Sequence, residues 1–248
     1  MSLSTEFKVL YHMLLAPIRG HSHAERLDSF YRGQAQGYDT FRERLLHGRG
    51  EMWRALPLSE HGLLIDMGGG TGANLLYLED ALAHYRKVYI VDLAISLLQV
   101  AKQRVQAHGW RHVVPVAADA TTFVPPEAPV DVITFSYSLT MIPDWFKALD
   151  HAWKLLRPGG IIGVVDFYVS RKYPHDNQTR HGWLTRTFWP LWFAFDNVFP
   201  NPDHIPYLHH RFEPVQFAEY RARMPYMPGV RVPYYHFIGR KPRHSALT

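Results

Sequence analysis

Residues 63 to 74 read LLIDMGGGTGAN, and this stretch says most about how the chain folds. Its first three residues predict a buried strand, its glycines predict a tight turn, and Leu75–Leu78 predict the start of a helix. Glycines allow positive φ angles and let backbone N–H groups approach a ligand, and the N-terminus of a helix favours a carboxylate or a phosphate. The stretch therefore predicts a ligand site at the end of its strand.

Asp66, placed before the glycines, indicates which ligand this turn favours. In the dinucleotide fingerprint G-x-G-x-x-G the turn contacts a pyrophosphate, which a neighbouring carboxylate would repel, whereas the same carboxylate attracts an ammonium group. The position of the third fingerprint glycine holds Ala73, a tolerated variant. We expect a ligand with an ammonium group, and a dinucleotide or a turn without any ligand are the alternatives.

The composition limits the classes of protein to which the chain can belong. A length of 248 residues with 47% hydrophobic content suffices for one α/β domain with a full core. The absence of cysteine excludes disulfides and thiolate metal sites, and the 16 histidines show no zinc spacing, so we expect no metal. The net charge of +5 favours an anionic partner, but there is no nucleic-acid-binding signature.

The sequence also bears on membrane association. No apolar run approaches the roughly 20 residues that a membrane-spanning helix needs. Thr5–Ile18 has apolar residues at helical spacing, and such a helix either packs on its own domain or lies among lipid headgroups. We therefore expect a cytoplasmic protein that is at most peripheral on a membrane, with no nucleic-acid partner.

Strands and helices alternate along the chain after the glycine turn. Further strands are predicted at Lys87–Asp92, Val113–Ala118, Val130–Leu139 and Ile161–Val165, and a terminal hairpin at Glu219–Gly239. The alternation predicts an α/β fold with a doubly wound, mostly parallel seven-stranded sheet.

Asp92 ends the second strand roughly 20–25 residues after the glycine turn, where a carboxylate can hold both hydroxyls of a ribose. Together with the pattern D-x-G-x-G-x-G, it resembles motif I of the class I S-adenosylmethionine-dependent methyltransferases. The resemblance implies a Rossmann-like fold and S-adenosylmethionine as the cofactor, with its methionyl part at the glycine turn and its adenine near Leu93 and Asp119. The residues expected to bind it are Tyr38, Arg42, Asp66, Gly68, Gly70, Thr71, Gly72, Asn74, Asp92, Leu93, Asp119, Ala120 and Ser136.

The chain is then one methyltransferase domain with four segments. Residues 1–55 form N-terminal helices that include a lid over the cofactor, and residues 60–170 form the cofactor-binding core. Residues 171–212 are an insertion rich in aromatic residues, which caps an apolar substrate, faces a membrane or roofs the sheet as a second small core. Residues 213–241 form the terminal hairpin.

The chemistry of methyl transfer suggests the residues at the reacting centre. Transfer from a sulfonium is an in-line displacement in which positioning supplies most of the acceleration. A nitrogen that is methylated repeatedly becomes a cation, which aromatic rings can hold. We therefore expect Tyr31, Tyr38, Tyr137 and Tyr168 at the reacting centre and His204 as a proton acceptor.

Four pieces of the chain resemble the methyltransferase half of betaine lipid synthases: Tyr38–Arg49, Val165–Ser170, His204–Leu208 and Arg231–Lys241. The resemblance implies an enzyme that methylates the amino group of diacylglycerylhomoserine three times. It also implies a lipid substrate at an anionic membrane surface and a separate functional partner that makes the homoserine lipid. The alternatives are a methyltransferase acting on a nitrogen or oxygen of a small molecule or a phospholipid headgroup, and a non-catalytic protein that binds S-adenosylmethionine.

Overall fold

The computed structural model of the protein describes residues 22–32, 43–194, 197–225 and 229–243. The predicted helix at Thr5–Ile18 and two predicted site residues, Tyr38 and Arg42, lie outside these ranges. The helices include α1 (His23–Arg32), α2 (Arg49–Arg54), α3 (Ile95–Ala107), α4 (Trp145–Leu155), α5 (Trp183–Ala194) and α6 (His204–Arg211). The strands are β1 (Leu63–Met67), β2 (Lys87–Asp92), β3 (Val113–Ala117), β4 (Val130–Ser136), β5 (Leu156–Phe167), β6 (Glu213–Arg223) and β7 (Arg231–Arg240).

The seven strands form one sheet in the order β3-β2-β1-β4-β5-β7-β6. Strands β1 to β5 run parallel to one another, and β7 runs antiparallel to both β5 and β6. The prediction of a doubly wound, mostly parallel seven-stranded sheet is confirmed. Because parallel strands end at a shared edge, β1, β2 and β4 deliver the residues that follow them to one place.

Strand β1 lies inside the sheet and is buried along its whole length. Leu63, Ile65 and Met67 belong to one apolar cluster, and Leu64 belongs to another. A strand that is covered on both faces requires such a continuous apolar run. The register aligns Asp66 of β1 with a threonine of β4, which prepares a polar contact inside this apolar surrounding.

The segment after the glycine turn departs from the predicted helix. Ala73–His84 forms 3-10 turns that are interrupted at Glu79, whose φ of 50° and ψ of −127° lie outside the helical region. Leu75, Leu78 and Leu82 are nevertheless buried in one apolar cluster. The segment therefore packs against the core, but its backbone type differs from the predicted helix.

Helix α2 packs directly on the sheet. Trp53 is fully buried, and its Nε1 donates a hydrogen bond to Oγ of Ser136 at 2.9 Å. Gly163 of β5 leaves room for α2, because a Cβ added there would lie 2.8 Å from Sδ of Met52 and 2.7 Å from Cδ2 of Leu56. This close approach fixes the N-terminal segment beside the ends of the parallel strands.

The aromatic-rich segment 171–212 contains α5 and α6. The inner face of α5 is buried through Trp189 and Phe193, and the ring of Phe193 stacks on that of Phe167 with centroids 4.8 Å apart. Among the helices of the described ranges, none is long and apolar enough to cross a bilayer.

We expect the substitution Gly163→Val to lower the free energy of unfolding by about 1–3 kcal/mol, because the new side chain displaces Met52 and Leu56 from β5. Chemical denaturation followed by tryptophan fluorescence measures this change. Gly182→Val is the matched control, because a Cβ at Gly182 meets no atom within 4 Å. Equal losses in the two variants would contradict the close packing of α2 on β5.

Candidate active site

A cavity of about 260 Å³ opens where β1, β2 and β4 end. Its wall combines the glycine turn, the residues that follow β2 and β3, the end of β4 and one side chain of α1. The predicted site residues that line it are Tyr31, Gly68, Gly70, Thr71, Asn74, Asp92, Leu93, Asp119, Ala120, Ser136 and Tyr137. Residues from distant parts of the sequence thus meet at one cavity, whereas Asp66, Gly72, Tyr168 and His204 lie outside its wall.

The glycine turn depends on its glycines for its shape. Gly68, Gly70 and Gly72 have φ values of 71°, 54° and 69°, a region that favours glycine. A Cβ at Gly72 would lie 2.7 Å from Cδ1 of Ile90, so the turn packs tightly against β2. The N–H group of Gly68 donates to the carbonyl oxygen of Val91 at 2.7 Å. Gly72 therefore shapes the turn from behind the cavity wall.

Asp92 lines the cavity at the end of β2. Its Oδ2 accepts a hydrogen bond from the N–H of Gly70 at 2.9 Å, and its Oδ1 accepts one from the N–H of Ala94 at 2.8 Å. These bonds orient the carboxylate at the wall, where the hydroxyl groups of a ribose can donate to it.

A further part of this wall comes from the residue after β2 and from the turn after β3. Leu93 offers apolar surface, and Asp119 offers a carboxylate whose Oδ1 accepts the N–H of Thr121 at 2.7 Å. An apolar side chain between two carboxylates suits a nucleoside, with one carboxylate for its ribose and one for its exocyclic amino group. The residues present therefore fit the adenosine part of S-adenosylmethionine.

Asp66 does not line the cavity, so it makes no direct contact with an ammonium group bound there. It is fully buried, and its carboxylate accepts hydrogen bonds from Nδ2 of Asn74 at 3.1 Å and from Oγ1 of Thr134 at 2.8 Å. Burial raises its pKa to about 6, because an ionised carboxylate loses its hydration there. Asn74 lines the cavity and Asp66 does not. Asp66 can therefore affect a bound ligand by fixing the position of the Asn74 side chain.

Arg49 is a cavity residue that the sequence prediction missed. It is 7% exposed, its Nη1 donates to Oδ1 of Asn74 at 3.3 Å, and its Nε donates to the carbonyl oxygen of Leu46 at 3.3 Å. A buried guanidinium at a cavity wall can hold a carboxylate such as that of a methionyl group. Gly48 precedes Arg49 and adopts a φ of 78°. This glycine was the signal available in the sequence, because it indicates a turn just before Arg49.

Two tyrosines line the cavity with their hydroxyl groups bonded to protein atoms. Oη of Tyr31 donates to Sδ of Met141 at 2.8 Å, and Oη of Tyr137 donates to the carbonyl oxygen of His47 at 2.6 Å. Burial raises the pKa of Tyr137 well above its ordinary value, so this side chain remains a neutral phenol. Both residues can therefore offer ring faces to a ligand.

Helix α1 is held beside the cavity by contacts at two places. Oδ1 of Asp28 accepts a hydrogen bond from the N–H of Ser96 at 2.8 Å, at the start of α3. Tyr31, one turn later, reaches Met141 in the wall after β4. The two contacts place α1 across one side of the cavity.

Tyr168 and His204 do not reach the cavity, which corrects the prediction that they act at the reacting centre. Oη of Tyr168 donates to Oε1 of Glu219 on β6 at 2.7 Å. The ring of His204 is fully buried against Trp145 of α4, with centroids 4.7 Å apart. Burial lowers the pKa of His204 to about 3, so its ring stays neutral and packs α6 on the domain.

Asp166 holds a segment of the cavity wall by hydrogen bonds. No role was predicted for it from the sequence. Its carboxylate accepts hydrogen bonds from the N–H of Thr140 at 3.1 Å, from Oγ1 of Thr140 at 2.7 Å and from the N–H of Phe167 at 2.8 Å. Thr140 lies in a 3-10 segment, Leu139–Met141, whose last residue lines the cavity. Burial raises the pKa of Asp166 to about 7.

The chain is similar to known methyltransferases in sequence. The model of the ubiE/COQ5 methyltransferase family matches residues 21–183, a match that ends where α5 begins. A ubiquinone/menaquinone biosynthesis C-methyltransferase UbiE of Bartonella tribocorum is 26% identical over 149 residues, which are 57% of this chain and 57% of that protein. The chain thus spans little more than half the length of the curated relative that it matches.

Solved structures of methyltransferases share the fold. Phosphoethanolamine N-methyltransferase 2 of Haemonchus contortus, in complex with phosphomonomethylethanolamine and S-adenosylhomocysteine, has a TM-score of 0.67 at 16% identity. That match covers 90% of this chain and 61% of the other. The YcgJ protein of Bacillus subtilis has a TM-score of 0.62 at 16% identity, and the match covers 80% of this chain and 99% of the other.

The substitution Asp166→Asn tests the raised pKa of this carboxyl. A folded-state pKa of about 7, against an ordinary value of 3.8, means that the folded chain binds this proton more tightly than the unfolded chain does. The contribution to stability is therefore complete below about pH 4 and is lost as the pH rises through about 7. We expect the unfolding equilibrium constant of the wild type, relative to that of Asp166→Asn, to increase by about 100- to 1,000-fold between these pH values.

Urea unfolding at a series of pH values measures this difference. Asp80→Asn is the control, because Asp80 is an exposed carboxylate. Parallel pH profiles for the wild type and Asp166→Asn would show that Asp166 has the same pKa in the folded and the unfolded chain.

The substitution Asp92→Ala is expected to weaken the binding of S-adenosylmethionine by about 10- to 100-fold, because the ribose loses its acceptor and Gly70 and Ala94 lose theirs. Isothermal titration calorimetry measures the dissociation constant. Glu60→Ala removes an exposed carboxylate in front of β1 and should leave the constant unchanged. A wild-type affinity in the Asp92→Ala variant would remove Asp92 from the cofactor site.

Proposed function

The chain belongs to the ubiE/COQ5 methyltransferase family, and we propose that it transfers methyl groups from S-adenosylmethionine to the amino group of diacylglycerylhomoserine. The product is the betaine lipid diacylglyceryltrimethylhomoserine. The observation that carries the proposal is the pair of cavity tyrosines, Tyr31 and Tyr137, whose hydroxyl groups are bonded to protein atoms. Their ring faces attract a cation, and a nitrogen that gains methyl groups becomes a cation.

When bound, S-adenosylmethionine supplies an electrophilic methyl group on a sulfonium. The task of the chain is to fix the position of this group relative to the acceptor. Asp92 is placed to hold the ribose hydroxyls, Asp119 to accept from the adenine amino group, and Asn74 with Arg49 to hold the methionyl group. Tyr31 and Tyr137 line the same cavity as these residues.

The protonation of the acceptor favours a nitrogen. An aliphatic amine can lose its proton to water before it enters the cavity, whereas a ring carbon of a phenol becomes nucleophilic when a neighbouring base ionises the hydroxyl group. The described part of the cavity wall contains no histidine. The carboxylates of Asp92 and Asp119 each accept hydrogen bonds from backbone N–H groups.

The pieces that resemble betaine lipid synthases add support from outside the cofactor-binding core. Tyr38–Arg49 adjoins the cavity through Arg49, and Val165–Ser170 adjoins it through Asp166 and the segment that Asp166 holds. The other two pieces form parts of α6 and β7, which lie beyond the region matched by the family model. The resemblance therefore extends past the region that the family model matches.

Methylation of a ring carbon in a quinol is the second candidate. Relatives named as ubiquinone/menaquinone biosynthesis C-methyltransferases favour it, since they are 26% and 27% identical to this chain over aligned regions. These regions cover 57% and 54% of the chain, so the rest of the chain has no aligned counterpart in these relatives.

A comparison of two acceptors in separate assays tests the proposed function. The purified chain is incubated with labelled S-adenosylmethionine and, in separate mixed micelles, with diacylglycerylhomoserine or a prenylated hydroquinone. We expect mono-, di- and trimethylated lipid by mass spectrometry and no labelled hydroquinone. Label on the hydroquinone alone would overturn the proposal in favour of carbon methylation, and cofactor binding without any product would favour a non-catalytic protein.

The substitution Tyr31→Leu is expected to lower kcat/KM for the later methylations by about 5- to 30-fold, because the ring face that stabilises a cationic nitrogen is lost. Tyr31→Phe keeps the ring and removes only the hydroxyl bonded to Met141, so it is the matched control. Product distributions by mass spectrometry measure the change, and calorimetry checks that both variants bind the cofactor. Equal effects of the two substitutions would show that the hydroxyl matters and the ring face does not.

A further inference from the structure

The outer face of α5 carries no charged side chain. Its exposed positions are Trp183, Leu184, Thr187, Phe188, Leu191 and Ala194. Trp183 is 68% exposed, Leu184 72% and Leu191 64%. A helix on the surface of a soluble domain ordinarily turns polar residues outward, and a contiguous exposed apolar patch marks an interaction site.

The fold itself does not require this outer face. Trp189 and Phe193, on the opposite side of α5, are each 3% exposed and attach the helix to the domain. Their apolar contacts account for the packing of the helix. The outer residues are therefore available for a partner.

Positive charge is concentrated in the segment that precedes α5. Residues 171–186 contain four cations and one carboxylate. Lys172 and Arg180 are exposed and lie 5.3 Å and 5.6 Å from the ring centre of Tyr173, which is 73% exposed. An exposed aromatic ring between two cations suits the boundary between anionic headgroups and acyl chains.

The inner face of α5 is connected to the cavity by a short chain of contacts. The ring of Phe193 stacks on Phe167 at 4.8 Å, and Phe167 contacts the ring of Tyr137 at 4.6 Å. The N–H of Phe199, after α5, donates to the carbonyl oxygen of Thr140 at 2.8 Å. A partner that docks on the outer face of α5 is therefore separated from the cavity wall by α5 and Phe167.

We propose that the outer face of α5 docks on the surface of an anionic lipid bilayer, with Lys172 and Arg180 at the headgroups. This inference rests on the proposed function, because a lipid acceptor has its amino group at the surface where α5 would lie. Docking brings the cavity to the acceptor, so the acyl chains stay in the bilayer while the amino group reaches Tyr137.

Charge favours a bilayer over a second copy of the chain. Two copies that met through this face would bring Lys172 and Arg180 of both to one interface, to which the exposed positions of α5 contribute no carboxylate, on a protein with a net charge of +5. Anionic headgroups instead neutralise these cations while the apolar side chains leave water.

Vesicle flotation with the full chain tests the docking. The expected result is stronger binding to phosphatidylcholine vesicles that contain phosphatidylglycerol than to phosphatidylcholine alone. The variant Trp183→Ser/Leu184→Ser/Leu191→Ser should bind the anionic vesicles at least about tenfold more weakly, because three side chains lose their burial in lipid. Lys172→Glu/Arg180→Glu should remove the preference for anionic vesicles by about tenfold or more.

The control is Leu58→Ser/Val124→Ser/Val215→Ser, which removes three exposed apolar side chains from other elements. It should bind vesicles like the wild type. Equal losses in the two triple variants, no binding by the wild type, or dimers by light scattering that the α5 variant abolishes would overturn the docking.

A short-chain, water-soluble diacylglycerylhomoserine separates this inference from the proposed function. The α5 variant should methylate it like the wild type and fail only on acceptor in vesicles. A wild type that methylates the soluble acceptor but does not float with vesicles refutes the docking and keeps the function. A wild type that floats but methylates neither acceptor refutes the function and keeps the docking.

Discussion

A buried carboxylate at the centre of the sheet holds the cofactor cavity together. Asp66 accepts hydrogen bonds from Thr134 of β4 and from Asn74 after the glycine turn, and thereby joins three separate parts of the chain. A carboxylate without partners at this depth would be strongly destabilising, so the three residues require one another. Arg49 extends the network through Asn74, which links the N-terminal segment to the same centre.

The molecule consists of a cofactor-binding part and a part that follows it in sequence. β1 to β4 and the turns after them form the part that accommodates adenosine, and the family match covers all of it. Beyond residue 183 the chain adds α5, α6, β6 and β7, none of which lines the cavity. Asp166 on β5 holds the 3-10 segment at the cavity wall through Thr140. The residues of the cavity wall therefore all lie within the region that the family model matches.

Local sequence patterns were sufficient for the sheet and for many of the residues that line the cavity. The glycine turn, Asp92 and Asp119 each follow a predicted strand, and the shared edge of parallel strands brings them together without knowledge of any contact. Asp66 was predicted to contact the ligand directly because the sequence shows that it precedes the glycine turn. Its hydrogen bond to Thr134 could not be predicted, because that bond depends on the register between β1 and β4.

Residues that act through tertiary packing could not be predicted in this way. Arg49 reaches the cavity because α2 packs on β5 at a glycine, a contact between residues more than a hundred positions apart. His204 was assigned a proton-transfer role from its chemistry alone, and its burial against Trp145 becomes visible only when α6 and α4 are in place. Chemistry-bearing residue types outside the strand ends thus gave the least reliable predictions.

The position of β7 has a consequence for how the chain assembles. Although β7 follows β6 in sequence, it lies between β6 and β5, so β6 has no neighbour in the sheet until β7 has been synthesised. During translation, the apolar edge of β5 from Ile161 to Phe167 stays unpaired after the parallel strands have emerged. An open edge of this kind can pair with another nascent chain, so the interval before β7 emerges is when aggregation competes most with folding.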